Sequence, residues 1–138
     1  MTRYLLDSTA LWRMLRDKEL HLAWRSTVED GDVRSCYPQR TEFLRSARSL
    51  REYETFSAMF DGLYEDVTVP KSAAQWISGL QRRAAERGAH QALSVVDLQI
   101  CATAAHHGFV VLHNDNDFMT ASRFAVELRE RDVHDGPV

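Results

Sequence analysis

Residues 3–11 read Arg-Tyr-Leu-Leu-Asp-Ser-Thr-Ala-Leu, and residues 109–118 read Phe-Val-Val-Leu-His-Asn-Asp-Asn-Asp-Phe. Each stretch begins with a short apolar run, typical of a buried strand, and passes through an aspartate into a segment that favours a helix. Two further short segments are bounded by polar or turn residues in the same way. We therefore predict strands at residues 3–6, 32–36, 67–69 and 109–112, with a fifth, edge strand at 131–134.

Seven helical patterns lie between and after these strands, each with apolar residues on one face. They span residues 11–15, 20–28, 43–50, 53–63, 73–84, 98–105 and 118–128. Strands separated by one or two helices must pair in parallel, because parallel pairing needs a long crossover. The sequence predicts an α/β fold with three layers: a mainly parallel sheet of four or five strands flanked by about seven helices.

Length and composition limit the class of protein. The 138 residues, 44% of them hydrophobic, suit a single domain over residues 1–138. A net charge of −3 gives the chain as a whole no attraction for nucleic acid or for an anionic membrane. Two cysteines cannot form a disulfide framework, and there is neither a signal peptide nor an 18-residue apolar run. We expect a cytoplasmic protein that does not enter the membrane.

Acidic residues stand where predicted strands end and helices begin. They are Asp7, Glu42, Asp97, Asp115 and Asp117. Because ligands of open parallel sheets bind outside the carboxyl ends of the strands, these acids can converge. Each acid alone could instead be structural, either as a helix cap or, for Glu42, as an exposed residue in the first turns of a helix.

The apolar flanks of three of these acids favour a shared site. Carboxylates gathered at a buried rim would raise one another's pKa unless a cation neutralised them. Oxygen ligands without a cysteine cluster favour Mg²⁺ or Mn²⁺ over zinc. Such a site on an α/β fold suits hydrolysis of a phosphodiester.

Four segments, residues 5–11, 41–43, 94–104 and 110–118, resemble the motifs of the PIN-domain family in order and spacing. More narrowly, the chain resembles the VapC toxins of bacterial toxin–antitoxin systems. The resemblance implies a PIN-like fold and a metal-dependent ribonuclease specific for single strands. It also implies a homodimer that is held inactive by a VapB-like antitoxin.

The resemblance assigns roles position by position. Asp7, Glu42, Asp97 and Asp115 match the catalytic acidic quartet, and Asp7, Asp97, Asp115 and Asp117 are the candidate Mg²⁺ or Mn²⁺ ligands. Thr9 matches a small hydroxyl residue near the metal, and His113 stands where the family usually has serine or threonine. His113 could contact a phosphate or a water, or it could simply pack. Which of Asp115 and Asp117 lies closer to the metal stays open.

Basic and aromatic residues allow two interpretations each. Arg40, Arg45 and Arg48 flank Glu42 and are candidate RNA contacts, although they could equally form a solvated helix face that pairs with nearby acids. The family binds its antitoxin in a groove of the early helices, which makes Trp12, Leu15, Trp24 and Phe56 candidates for that surface. Helical spacing alone favours the core or a dimer contact for such aromatic residues.

Two other functions compete with the nuclease. A PIN-like module that binds RNA or a partner without cutting RNA stays open as an alternative. Four carboxylates show that the chain has the residues for catalysis, but they do not show that it turns over a substrate. A receiver-like phosphorylation switch also has an acidic Mg²⁺ pocket, but it needs a lysine at the exit of its last strand. The only lysines, Lys18 and Lys71, lie elsewhere.

Overall fold

The computed structural model describes all 138 residues and contains four strands and seven helices. In chain order these are β1 (Tyr4–Leu6), α1 (Ser8–Arg16), α2 (Lys18–Glu29), β2 (Val33–Arg34), α3 (Tyr37–Leu44), α4 (Leu50–Leu63), α5 (Ala73–Ala85), α6 (Val95–His107), β3 (Val110–His113), α7 (Asn116–Ser122) and β4 (Arg129–Asp132). A single 3₁₀ turn, Val133–Asp135, follows β4.

The strands form one sheet in the order β2-β1-β3-β4, and all three pairings are parallel. Tyr4 of β1 lies opposite Val33 on one side and Val110 on the other, and Val110 lies opposite Arg129. The two central strands are buried along their whole length, as their apolar sequences require. All four strands therefore end at the same edge of the sheet.

Two apolar clusters fill the two faces of this sheet. Side chains of β1 alternate between them: Leu6 packs with Leu11 and Trp24 of the first two helices, whereas Leu5 packs with Ile100 and Phe118 of the later helices. Alternation with period two is what a strand imposes on its side chains. The predicted three-layer α/β sandwich is confirmed.

Two strand predictions need correction. Residues 67–69 do not form a strand, since only an isolated bridge joins Ser35 and Asp66. The Val67 N–H donates to the Ser35 carbonyl at 2.8 Å, and Pro70, which has no N–H, soon ends any further pairing. The predicted edge strand does exist, but at residues 129–132 instead of 131–134.

Two helices begin and end before their apolar patterns do: α3 spans Tyr37–Leu44 and α7 spans Asn116–Ser122. The pattern at 43–50 is broken after Leu44, because Ser49 begins a new helix by accepting a hydrogen bond from the Glu52 N–H at 3.1 Å. The last helix ends at Ser122; beyond it Ala125 and Leu128 are buried without being helical, whereas Val126 is exposed.

Trp24 of α2 connects the helical layer to Val133, the residue directly after β4. Its ring is fully buried, and its indole N–H donates to the Val133 carbonyl at 2.8 Å. The ring also packs edge-on against Tyr4, with centroids 5.0 Å apart. The assignment of Trp24 to a partner-binding surface stays a prediction: its side chain has no exposed area, although it borders a groove between α1, α2 and α4.

None of the helices combines the length and the apolar character needed to cross a membrane.

The hydrogen bond of Trp24 can be tested by replacing the indole with an aromatic ring that has no N–H donor. Trp24→Phe keeps an aromatic ring but leaves the Val133 carbonyl without its donor, so we expect the free energy of unfolding to fall by about 1–3 kcal/mol. Leu22→Ala, on the exposed side of the same helix, should change it by less than about 0.5 kcal/mol. Urea denaturation followed by circular dichroism measures both values. Equal stability of wild type and Trp24→Phe would contradict the proposed role.

Candidate active site

The candidate acidic residues gather at the edge where the parallel strands end. Asp7 directly follows β1, and Asp115 lies two residues after β3. Glu42 lies on α3 and Asp97 in the first turn of α6, and these two helices pack against each other. Residues far apart in the chain thus reach one place because the topology is parallel.

Asp7 is the most deeply buried of these acids, with 2% of its surface exposed. It is the N-cap of α1: its Oδ2 accepts hydrogen bonds from the Thr9 N–H at 3.0 Å and from the Thr9 hydroxyl. Burial raises the pKa of Asp7, the Thr9 bonds lower it, and the charges of Glu42 and Asp115 raise it further. The net effect is a raised pKa, so ionising this carboxyl costs free energy in the folded chain.

Asp97 belongs to a helix cap, and burial and neighbouring charges both oppose the ionisation of its carboxyl. Its N–H donates to the Ser94 hydroxyl at 3.1 Å, as the third residue of a capping box would. Burial raises the pKa of Asp97 to about 7, with added contributions from the charges of Asp7, Glu42 and Asp115. The helix cap and the shared acidic site are therefore both present at this residue.

Asp115 acts electrostatically on more of the other acids than Asp117 does. Asp115 caps α7, and its Oδ1 accepts a hydrogen bond from the Asp117 N–H at 3.0 Å. Its charge raises the pKa of both Asp7 and Asp97, whereas the raised pKa of Asp117 comes from burial and from Asp115 alone. Asp117 thus stands at the margin of the cluster.

The donor chemistry of this cluster suits a hard divalent cation. The charged neighbours that shift the pKa of Asp7 and Asp97 are all acidic, so the cluster lacks a counter-charge of its own. The nearby Cys36 thiol has its pKa raised by burial to about 12, and that of Cys101 is also raised, so neither offers a thiolate. Only oxygen donors remain.

The cluster is not a closed metal cage. No group of three or more acidic, histidine or cysteine side chains has a geometry that could hold a metal ion as it stands. Mg²⁺ does not require such a cage, because it usually keeps several waters and is bound through one or two carboxylates. The residues present therefore fit Mg²⁺ or Mn²⁺ by charge and donor type.

His113 supports Asp115 from behind. Its side chain is 1% exposed, and its Nδ1 accepts a hydrogen bond from the Asp115 N–H at 3.0 Å. The proton must then lie on Nε2, which donates to Glu130 Oε1 at 2.8 Å. Both ring nitrogens are occupied, so the structure shows the packing alternative and not a contact with phosphate or water.

Two amide side chains that the sequence interpretation missed adjoin the cluster. The Asn114 N–H donates to the Thr9 hydroxyl at 2.9 Å and so connects the exits of β1 and β3. Gln39, fully buried on α3 three residues before Glu42, donates to the Ser8 hydroxyl at 3.1 Å, and its Oε1 has no partner. The position of Asn114 at a strand exit was the available signal, whereas the residues around Gln39, among them Arg40 and Thr41, gave none.

The three predicted RNA-binding arginines have different environments. Arg40 is not available to a ligand, because it donates to Ser35 Oγ at 2.7 Å and to the Tyr64 carbonyl, and so ties α3 to the end of α4. Arg48 is exposed and pairs with Glu52 at 3.4 Å, as the solvated-face alternative expects. Arg45 is exposed and makes no ion pair.

An apolar groove of about 250 Å³ lies between α1, α2 and α4. Met14, Leu15, Met59 and Leu63 contribute to its lining, and Leu15 is 47% exposed. Trp12 and Phe56, predicted for the same surface, are partly buried around Phe43, with the Trp12 and Phe43 rings stacked at 4.4 Å. The groove thus presents aliphatic side chains and methionines, and the rings of Trp24 and Tyr64 also border it.

The chain is similar to known proteins over most of its length. The family model of the PIN domain matches residues 4–123. Ribonuclease VapC6 of Mycobacterium tuberculosis (strain ATCC 25618 / H37Rv) is 50% identical over 118 residues, which cover 86% of this chain and 88% of that protein. Ribonuclease VapC21 of the same strain is 33% identical over 119 residues, covering 85% and 84%.

Solved structures show the same fold at low identity. VapBC-1 of nontypeable Haemophilus influenzae matches with a TM-score of 0.76 at 12% identity, covering 96% of this chain and 99% of that one. DNA-bound VapBC of Salmonella typhimurium matches with a TM-score of 0.75 at 17% identity and the same coverage.

The raised pKa of Asp97 predicts a pH dependence of stability in chelator. A raised pKa means that the protonated carboxyl stabilises the fold; this contribution is complete below the ordinary value of 3.8 and is lost as the pH rises through about 7. We expect Asp97→Asn to be more stable than wild type above about pH 7 and to lose less stability across this range. Thermal unfolding at a series of pH values measures this. Glu54→Gln, at an exposed position of α4, is the control and should follow wild type.

The supporting role of His113 is testable through stability. His113→Leu removes both hydrogen bonds and leaves the Asp115 N–H and Glu130 without partners, which should cost about 1–3 kcal/mol in the free energy of unfolding. His113→Asn keeps an acceptor near the position of Nδ1, so we expect it to cost less. Urea denaturation compares the two. If the leucine variant matches wild type, His113 does not support the site as described.

Proposed function

The chain belongs to the PIN-domain family and to its VapC-type ribonucleases, and from this we infer that it hydrolyses RNA as the toxin of a toxin–antitoxin pair. We propose that residues 1–138 form one PIN-like domain. The observation that carries the catalytic part of the proposal is the cluster of Asp7, Glu42, Asp97 and Asp115. Their charges raise the pKa of Asp7 and Asp97, and no basic group is among the neighbours that shift them.

We further propose that the cleavage requires Mg²⁺ or Mn²⁺, held by Asp7, Asp97 and Asp115 with Asp117 at the margin. When bound, such an ion activates water and stabilises the charge that develops on the leaving oxygen. RNA phosphates would be repelled by four bare carboxylates, so the cation also removes the barrier to substrate binding.

The protein prepares these carboxylates for binding. Thr9 bonds only Oδ2 of Asp7, which leaves Oδ1 without a protein partner. Asp115 is fixed through Oδ1 by the Asp117 N–H and through its own N–H by His113. Asp7 and Asp115 are thus each oriented by a hydrogen bond to one carboxylate oxygen while the other oxygen stays free.

No side chain of the cluster is needed as a nucleophile. The two nearby thiols are buried with raised pKa values and stay protonated at neutral pH. Glu42 is half-buried and stands among the other acids, where its carboxylate can take the proton that the attacking water releases. Hydrolysis by water, in line with the leaving oxygen, is the mechanism that these residues support.

The proposed function also includes an antitoxin partner, a homodimer and a cytoplasmic location. The matching solved structures are named VapBC, and we propose that a VapB-like antitoxin inserts an apolar helix into the groove that Met14, Leu15, Met59 and Leu63 line. We also propose a homodimer that cuts single-stranded RNA in the cytoplasm, as the family resemblance implies.

Asp7→Asn tests the metal-nuclease proposal. Asparagine keeps an acceptor for Thr9 but loses the charge, so cleavage of single-stranded RNA in Mg²⁺ or Mn²⁺ should fall at least about 100-fold. The thermal midpoint in chelator should not fall, because a repulsive charge is removed. The assay uses protein freed from its antitoxin and a panel of labelled RNAs, some of them structured.

Asp30→Asn is the matched control, since Asp30 is exposed at the end of α2 and makes no ion pair. It should cut at the wild-type rate. Cleavage that survives a chelator, or equal cleavage by wild type and Asp7→Asn, would contradict the proposal. RNA binding by wild type with no cleavage under any metal would instead identify a binding module that does not cut.

A further inference from the structure

Arg13 and His134 stand beside the acidic cluster, Arg13 held by the Asn114 amide and His134 by the Asp132 carboxylate. Asn114 accepts a hydrogen bond at Oδ1 from Arg13 Nε at 2.8 Å. Its Nδ2 lies 3.2 Å from Asp132 Oδ2 and 3.4 Å from His134 Nδ1. Arg13 comes from α1 and His134 from the turn after β4, so only the tertiary fold brings them together.

Arg13 is oriented but not neutralised. Its side chain is exposed, it forms no ion pair, and the bond to Asn114 uses only Nε. The two terminal nitrogens of the guanidinium therefore have no protein partner. A planar fork that is held at one side and open at the other is suited to a phosphate, which it can bind through two hydrogen bonds.

His134 is oriented by Asp132. Burial alone would raise the pKa of Asp132, but bonds from the His134 N–H, from its ring and from Asn114 outweigh it, and the net pKa is lowered. Because the ionised carboxylate can only accept, His134 Nδ1 is the donor in the 2.9 Å contact with Asp132 Oδ1. The ring is half-exposed, and its Nε2 has no protein partner.

These groups connect directly to the carboxylates. The Asn114 N–H donates to the Thr9 hydroxyl, which in turn donates to Asp7, and Asn114 immediately precedes Asp115. An anion bound between Arg13 and His134 would thus lie at the border of the acidic cluster. The rest of the cluster is negative, so an RNA strand that crosses it needs a positive anchor at its side.

We propose that Arg13 and His134 form a subsite for a backbone phosphate of the RNA, next to the phosphate that is cut. The inference deepens the function proposed above and depends on it for the identity of the strand. Asn114 positions Arg13, which binds through its terminal nitrogens, and Asp132 positions His134, whose Nε2 donates to the phosphate when both ring nitrogens carry a proton. The sequence offered no signal for this pair, because neither residue lies in a basic cluster.

The test measures binding separately from cleavage. A fluorescein-labelled single-stranded RNA of mixed sequence is titrated with wild type, Arg13→Gln and His134→Gln, with Ca²⁺ in place of Mg²⁺ to neutralise the carboxylates, at several salt concentrations between about 50 and 200 mM. We expect Arg13→Gln to weaken binding about tenfold, the loss of a charged hydrogen bond. The slope of log affinity against log salt should become shallower by about 0.7. His134→Gln should weaken binding by a smaller factor.

Control variants separate charge from geometry. Arg87→Gln removes an exposed, unpaired arginine at the far end of α5 and should leave affinity and slope unchanged. Arg13→Lys keeps the charge but loses the fork, so it should keep the slope and recover only part of the affinity. In Mg²⁺, Arg13→Gln should raise KM more than it lowers kcat, and its thermal midpoint should match wild type.

The outcomes distinguish this inference from the function on which it rests. If wild type binds and cuts RNA while Arg13→Gln matches it in affinity, salt slope and KM, the subsite alone is overturned. The same holds if the variant weakens only antitoxin binding. If wild type neither binds nor cuts any RNA, the proposed function fails and the subsite with it.

Discussion

The parallel pairing of β1 with β3 is the constraint on which the rest of the molecule depends. It places Asp7 beside the exit of β3, where the Asp7 N–H donates to the Leu112 carbonyl at 2.9 Å. Both strands are buried between two helical layers, so their carboxyl ends cannot move apart without opening both cores. The acidic cluster inherits its geometry from this rigid centre.

The N-termini of three helices reduce the free-energy cost of placing these acids close together. Asp7 and Asp115 are N-caps, and Asp97 lies in the first turn of α6. The positive end of each helix dipole and the free N–H groups there favour a carboxylate, which partly offsets the repulsion among the acids. Capping and the shared acidic site were alternative explanations of the same residues, and the fold makes them compatible. The remaining repulsion is visible in the raised pKa of Asp97.

The two surfaces of the proposed toxin lie on different parts of the molecule. The acidic edge is built by strand exits and is surrounded by hydrogen-bonded polar groups such as Thr9, His113 and Asn114. The apolar groove is built by the faces of α1, α2 and α4. Arg13 belongs to the same helix as Leu15, so α1 contributes to both surfaces. A partner bound in the groove would therefore contact the same helix that carries Arg13.

Local patterns in the sequence determined the elements and the positions of the acids, because apolar periodicity and capping depend on residues a few positions apart. They predicted seven helices, a parallel sheet and acids at its edge. They failed at residues 67–69, where a strand needs a partner along its length, and this segment has one only at a single bridge. Only the tertiary structure decided that hydrogen bonds within the chain hold Trp24 and Arg40, and that both ring nitrogens of His113 have hydrogen-bond partners. It alone brought Arg13 to Asn114, since these contacts join residues up to 109 positions apart, and no local pattern records which distant group a side chain will meet.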